Sequence, residues 1–99
     1  MRQGRRYRGR YLTLVALPGP PNEPLRAAPI VSKKVGNAVV RNHLKRRFRE
    51  ILRLAHWEPE AAGDLAAIAH REAAGATFAE LEAELLLALE RAGWLAEGD

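Results

Sequence analysis

Between Asn37 and Ala55 the apolar residues Val40, Leu44, Phe48, Ile51 and Ala55 recur every third or fourth position. At about 100° per residue they form one narrow stripe along a helix beginning near Asn37 or Ala38. Arg41, Asn42, Lys45, Arg46, Arg49 and Arg53 take the opposite arc. Such a helix needs an apolar surface to cover its stripe, and it leaves a row of cations outside. Any fold for this chain must supply that surface.

The flanking segments read as a sheet. Tyr11–Leu17, YLTLVAL, is rich in β-formers and predicts a strand. Residues 18–24, PGPPNEP, make a turn or hairpin loop, and Leu25–Ser32, LRAAPIVS, reads as the returning strand. Pro29 cannot donate to a ladder, so it marks an edge position or a bulge. After the helix, Pro59 ends any continuation, and Asp64–His70, DLAAIAH, predicts a short buried strand. Thr77 and Glu80 have capping-box spacing before Phe78, Leu81, Leu85 and Leu89, which mark a second helix closed by Gly93. Glu80, Glu82, Glu84 and Glu90 read as its solvated acidic face. The order β-β-α-β-α gives an α+β domain, with two helices packed on a small mixed sheet.

Charge divides the chain. Residues 1–53 hold fourteen Lys or Arg against two acids, Glu23 and Glu50, whereas residues 54–99 hold two basic residues against ten acids. The net charge of +4 conceals this split, which points to a polyanionic partner on one side of the fold. Arg outnumbers Lys, and its planar fork suits phosphates and bases. In RRYRGRY, Tyr7 and Tyr11 lie among arginines where they could stack on unpaired bases, although Tyr11 equally suits a core.

Other chemistries find little support. With no cysteine there is no disulfide or thiolate site, which suits a reducing cytoplasm, and His43, His56 and His70 lack ligand spacing. A two-metal nuclease needs several converging acids, and the basic half has only two. Ser32 is the sole serine, and no Walker-type loop is present. No apolar run reaches the roughly eighteen residues of a membrane span. The start, MRQGRRYRGRYLTLVAL, has a short apolar patch and no small-residue cleavage site, so it does not read as a signal peptide. By itself the chain reads as an RNA binder and not a catalyst. A DNA-binding use of the basic helix lacks the preceding helix of a helix-turn-helix.

Ser32–Glu50, SKKVGNAVVRNHLKRRFRE, resembles the signature of the bacterial ribonuclease P protein component, SKK-(V/I)-GNAV-x-RNR-x-KR. The strands and the later DLAAIAH follow that family's order. The resemblance implies the protein subunit of an endoribonuclease that removes the 5′ leader of precursor tRNA. Its RNA subunit carries out the hydrolysis and holds most of the Mg²⁺, so the protein alone is expected to be inactive. The partners implied are ribonuclease P RNA and precursor tRNA, in the cytoplasm, with no membrane and no protein partner required. The alternative is a non-enzymatic basic RNA-binding protein of ribosomal or tRNA-handling type.

Carried over by position, the resemblance implies that Arg41, Asn42, Lys45 and Arg46 contact the catalytic RNA, with His43 in the same RNA-binding set and Lys33 and Lys34 near it. Helical geometry extends the face to Arg49 and Arg53. The leader is expected in a cleft beside the sheet, with Tyr7, Tyr11, His70 and Arg71 as its contacts, while Arg91 is expected to stand apart from RNA. His43 replaces the signature's second Arg and loses a guanidinium fork. His70 stands where the family has Arg, with Arg71 beside it. The family also begins with a basic, aromatic-bearing helix that this sequence lacks, so the chain as given is expected to be N-terminally incomplete.

Overall fold

The computed structural model describes residues 5–20, 25–57 and 62–95. They form β1 (Arg5–Arg8), β2 (Leu12–Pro18), β3 (Leu25–Ile30), α1 (Ala38–Leu54), β4 (Gly63–Ala69), a 3₁₀ turn (Arg71–Gly75) and α2 (Phe78–Arg91). The α+β class of the sequence reading holds, and β1 is an added strand. Its RRYR sequence carries too many charges to show a strand's alternation.

The sheet order is β1-β2-β4-β3. β1 pairs with β2 and β2 with β4 antiparallel, whereas β3 runs parallel to β4. This corrects the reading of β3 as the returning strand of a hairpin, because β4 lies between it and β2. The physical reason is in the residues. A central strand must donate and accept along both edges, which proline cannot do, so Pro29 confines β3 to the rim. The parallel β3–β4 pair then needs a crossover, and α1 supplies it. Part of the 18–24 loop, residues 21–24, lies outside the described residues, as does Pro59.

Alternation along the strands divides the sheet into two faces. Leu12, Leu14 and Ala16 of β2 and Leu65, Ala67 and Ala69 of β4 are buried beneath the helices. Thr13, Val15, Ala66 and Ile68 are half-buried on the other face. On that face Arg6 stands opposite Val15, Arg8 opposite Thr13, and Ile30 opposite Ile68. No helix among the described residues covers it, and Leu17 and Ile30 are 52% and 47% exposed. The alanines of β4 are weak β-formers, but pairing on both edges overrides that preference.

α1 buries Leu44, Phe48, Ile51 and Leu52. Val40 and Ala55, read as members of the stripe, are half-buried at its ends. α2 buries Leu81, Leu85, Ala88 and Leu89, while Phe78 in its first turn stays 36% exposed. The capping box is formed in full: Glu80 N–H donates to Thr77 Oγ1 at 3.1 Å, and Thr77 N–H donates to Glu80 Oε1 at 2.9 Å. At the other end Trp94 N–H reaches Leu89 O and Gly93 N–H reaches Glu90 O, both at 3.0 Å. These are the paired bonds of a Schellman ending, with buried Trp94 and Leu89 as its apolar contact. No helix among the described residues is long and apolar enough to cross a membrane.

Candidate nucleic-acid interface

The basic helix is held at its start by its own signature residues. Ser32 Oγ accepts from Lys34 N–H at 3.3 Å, and Ser32 O accepts from Val35 N–H at 3.1 Å. This turn leaves Lys33 and Lys34 exposed on the approach to α1. A Cβ on Gly36 would come within 2.9 Å of Val40 Cγ1, so the chain needs glycine to pass the helix start. Asn37 is the N-cap, its side-chain oxygen accepting from Val40 N–H at 3.0 Å.

From this start the outer arc of α1 brings Asn42, Lys45, Arg46, Arg49 and Arg53 together along one shallow trough. Among the described residues Glu50 is the only acid lining it, and it is paired at 2.9 Å with Arg53. An exposed i,i+3 pair of this kind contributes only about 0.3–0.5 kcal/mol. Its main effect is to hold the Arg53 side chain along the helix. One carboxylate already engaged by a guanidinium is a poor donor set for a divalent cation, so these residues do not fit a protein-held Mg²⁺.

Three other α1 residues behave differently. Arg41 turns back, its Nη1 donating to Gly36 O at 2.8 Å, so it braces the N-terminus and does not line the trough. His43 is exposed but also stands outside the trough. Arg47, absent from the sequence-predicted set, is half-buried and donates to Ala76 O at 3.2 Å, tying α1 to the segment before α2. Its position between two trough residues gave no signal of that partner.

The four leader candidates do not share a surface. His70 lies on the uncovered side of the sheet, continuing the alternation of Ala66 and Ile68. Its Nδ1 is 3.2 Å from Arg10 O and its Nε2 is 2.7 Å from Thr13 Oγ1. A carbonyl can only accept, so Nδ1 carries the hydrogen, and in the neutral ring Nε2 accepts from the Thr13 hydroxyl. Arg71 is exposed next to it, at the start of the 3₁₀ turn. Tyr7 instead pairs with Leu14, a core residue, which sets it on the helix side. Tyr11 packs against the core with Arg10 Cζ 5.3 Å from its ring centroid. Strand alternation, which the unread β1 concealed, separates the tyrosines from His70.

Sequence reasoning also missed Glu84. Assigned to a solvated face, it is half-buried, and its carboxylate accepts from Arg10, Tyr11 and Leu12 N–H at 3.0, 2.8 and 2.9 Å. Three successive amide donors form a concave anion site, and an internal carboxylate fills it. With Gly9 N–H bonded to Leu12 O at 2.8 Å and His70 N–H to Tyr11 O at 2.8 Å, the β1–β2 turn is fixed from both sides. The acidic face of α2 is thus partly structural.

Comparison with known proteins agrees with this arrangement. The ribonuclease P protein component of Thermus scotoductus is 52% identical over 93 residues, covering 94% of this chain and 54% of that protein. Its counterpart in Gluconacetobacter diazotrophicus is 41% identical over 92 residues, covering 92% of this chain and 79% of the relative. The chain therefore spans about half the length of its Thermus relatives, at 54% for Thermus scotoductus. Among solved structures, the Staphylococcus aureus RNase P protein superposes with a TM-score of 0.81 at 28% identity, over 94% of this chain and 84% of that one. The Thermotoga maritima RNase P protein shares the fold, with a TM-score of 0.74 at 24% identity over 96% of this chain and 86% of that one. The sequence pattern of the family described as Ribonuclease P runs through residues 1–93, from β1 through α1 to the end of α2, and the chain belongs to that family.

Proposed function

We propose that this chain is one RNA-binding domain serving as the protein subunit of ribonuclease P in the cytoplasm, where it assists removal of the 5′ leader from precursor tRNA. The observation that carries the reading is the α1 trough: Asn42, Lys45, Arg46, Arg49 and Arg53 stand in one row on a helix anchored by Leu44, Phe48 and Ile51. Four cations on a rigid support match a phosphate backbone, and neutralising each phosphate releases counterions. The trough is assigned to the catalytic RNA, with Lys33, Lys34 and His43 at its margins and Arg41 supporting it from within.

The uncovered sheet face, with His70 and Arg71 at one end, is assigned to the single-stranded leader. It offers half-buried apolar ground at Val15 and Ile68, and Arg6 and Arg8 lie along β1. Tyr7 and Tyr11 leave this assignment because they lie on the other side. Mg²⁺ belongs to the RNA subunit in this reading, in keeping with the donor set of the trough, and no step of the chemistry is placed on the protein.

The test is cleavage of a precursor tRNA by bacterial ribonuclease P RNA at low Mg²⁺, with and without the protein. Rescue by a protein that is inert without RNA supports the assignment. A chain that binds the RNA and fails to rescue retains the α1 half of the proposal and loses the leader half. A chain that does not bind the RNA is a basic RNA-binding module of another kind.

A further inference from the structure

The cations of the basic half do not form one surface. α1 packs against β3, whereas α2 packs against β1 and β2. Since β1 and β3 are opposite edges of the sheet, the α1 trough and the arginines of β1 lie toward different ends of it. At the β1 end, a depression opens between the strand edge and the last turn of α2, lined by Arg6, Tyr7, Leu14, Arg91 and Ala92. Leu14 is 1% exposed and gives it an apolar floor. Arg91 Cζ lies 5.8 Å from the centroid of the half-buried Tyr7 ring.

We propose that this depression binds one unpaired nucleotide of RNA, its base stacked on Tyr7 and its phosphate met by Arg91 and Arg6. An aromatic ring accepts any base, and a guanidinium fork suits a phosphate. Arg91 is exposed, and a solvated cation–π contact is weaker than base–aromatic stacking. An arriving base therefore takes the ring face, and the displaced guanidinium turns to the phosphate beside it. This returns Arg91 to the RNA surface, from which its place in the acidic half of the sequence had removed it. The proposal rests on the RNA-binding reading above and adds a site that lies outside the trough and shares only Arg6, at the strand edge, with the uncovered sheet face.

Binding of a fluorescent pentauridylate to the full chain tests it. Tyr7→Leu should weaken binding about tenfold, the scale of one lost stacking contact, while Tyr7→Phe, which keeps the ring, binds as the parent does. Arg91→Ala should weaken binding and reduce the salt slope by about 0.7, the single-strand value for one phosphate contact. Equal affinity of the parent and Tyr7→Leu overturns the site. Should Tyr7→Leu not fold, photocrosslinking of the parent chain to a 5-iodouridine pentamer decides: an adduct on Tyr7 supports the site, and adducts confined to α1 overturn it. Arg46→Ala assayed against ribonuclease P RNA keeps the two readings apart. A loss there with no effect at Tyr7 rejects only the new site, and failure of the parent chain to bind either RNA rejects the RNA-binding reading as a whole.

Discussion

The carboxylate of Glu84 occupies the space that a Cβ on Gly9 would need. The two residues lie far apart in sequence, yet a side chain at Gly9 would have to displace the Glu84 carboxylate, which holds three amides of the turn after Gly9. Glu84→Ala leaves those donors, two of them partly buried, without their acceptor and should cost about 2–3 kcal/mol, on the scale of charge-assisted hydrogen bonds. Gly9→Ala should lower stability in the same sense by displacing the carboxylate, and Glu84→Gln, which retains one acceptor oxygen, should fall between. Urea unfolding measures all three. A Glu84→Ala chain within about half a kcal/mol of the parent would show that the contact contributes nothing.

Arg46 and Arg41 separate binding from support. Arg46 lines the trough and its side chain has no protein hydrogen bond among the described residues, so Arg46→Ala should leave the melting temperature unchanged. It should reduce the slope of log affinity against log salt for ribonuclease P RNA by about 0.7–0.9, the loss expected for one phosphate contact. Arg41→Ala removes the bond to Gly36 O as well, and should cost about 1 kcal/mol of stability with any binding loss. Titrations at several salt concentrations, paired with thermal melts, check the contrast.

Phe48 is fully buried, on the same helix as the trough. Phe48→Ala should cost about 3–5 kcal/mol from lost transfer energy and the cavity left behind. That is a large share of the roughly 5–15 kcal/mol typical of a domain. Loss of RNA binding should follow loss of the folded state and be recovered where a stabilising osmolyte restores the fold. Weak binding by a folded Phe48→Ala chain would instead mean that the core tunes the trough directly.

Glu80 gives the acid limb of stability a specific contributor. The hydrogen bond from Thr77 N–H is the main cause that holds its carboxyl below the ordinary 4.5; desolvation, next in size, opposes it, and the Tyr11 and Thr77 side chains and the charge of Arg10 add to the lowering. Because the folded value lies below the unfolded one, this stabilisation is complete above pH 4.5 and is lost as pH falls through the folded value. Glu80→Gln should therefore melt lower than the parent at neutral pH, with the gap closing below pH 4.5. Melting temperature against pH checks it, and a gap that widens in acid contradicts the assignment.

Where periodicity is strong and local, the sequence was readable. The stripe of α1, the Thr77–Glu80 cap, the strand read at Asp64–His70 and found at Gly63–Ala69, and the edge position, one of the two readings of Pro29, follow from spacing and backbone chemistry that act over a few residues. What escaped depends on partners distant in the chain. β1 has a strand's geometry without its composition, and Glu84, Arg47 and Arg41 differ from solvated neighbours only by where a carbonyl or an amide happens to lie. The trough could be listed residue by residue, but Arg41 and Glu84 show that helical arcs do not distinguish a side chain facing solvent from one turned back onto backbone. The sidedness of Tyr7 and His70 was likewise hidden until β1 fixed the register.

One of the two inner strands, β4, is the last of the described strands to be synthesised. β2 and β3 meet only through β4, in seven paired positions on one side and six on the other. A nascent chain that has emerged only as far as α1 can close the β1–β2 ribbon, yet it has no sheet on which the helix can settle. Its cations are then carried on a segment without a stable fold, and helices of this length are marginal on their own in water. The trough proposed for RNA therefore takes its final form only with the arrival of β4 and α2, segments that contribute no residue to its lining.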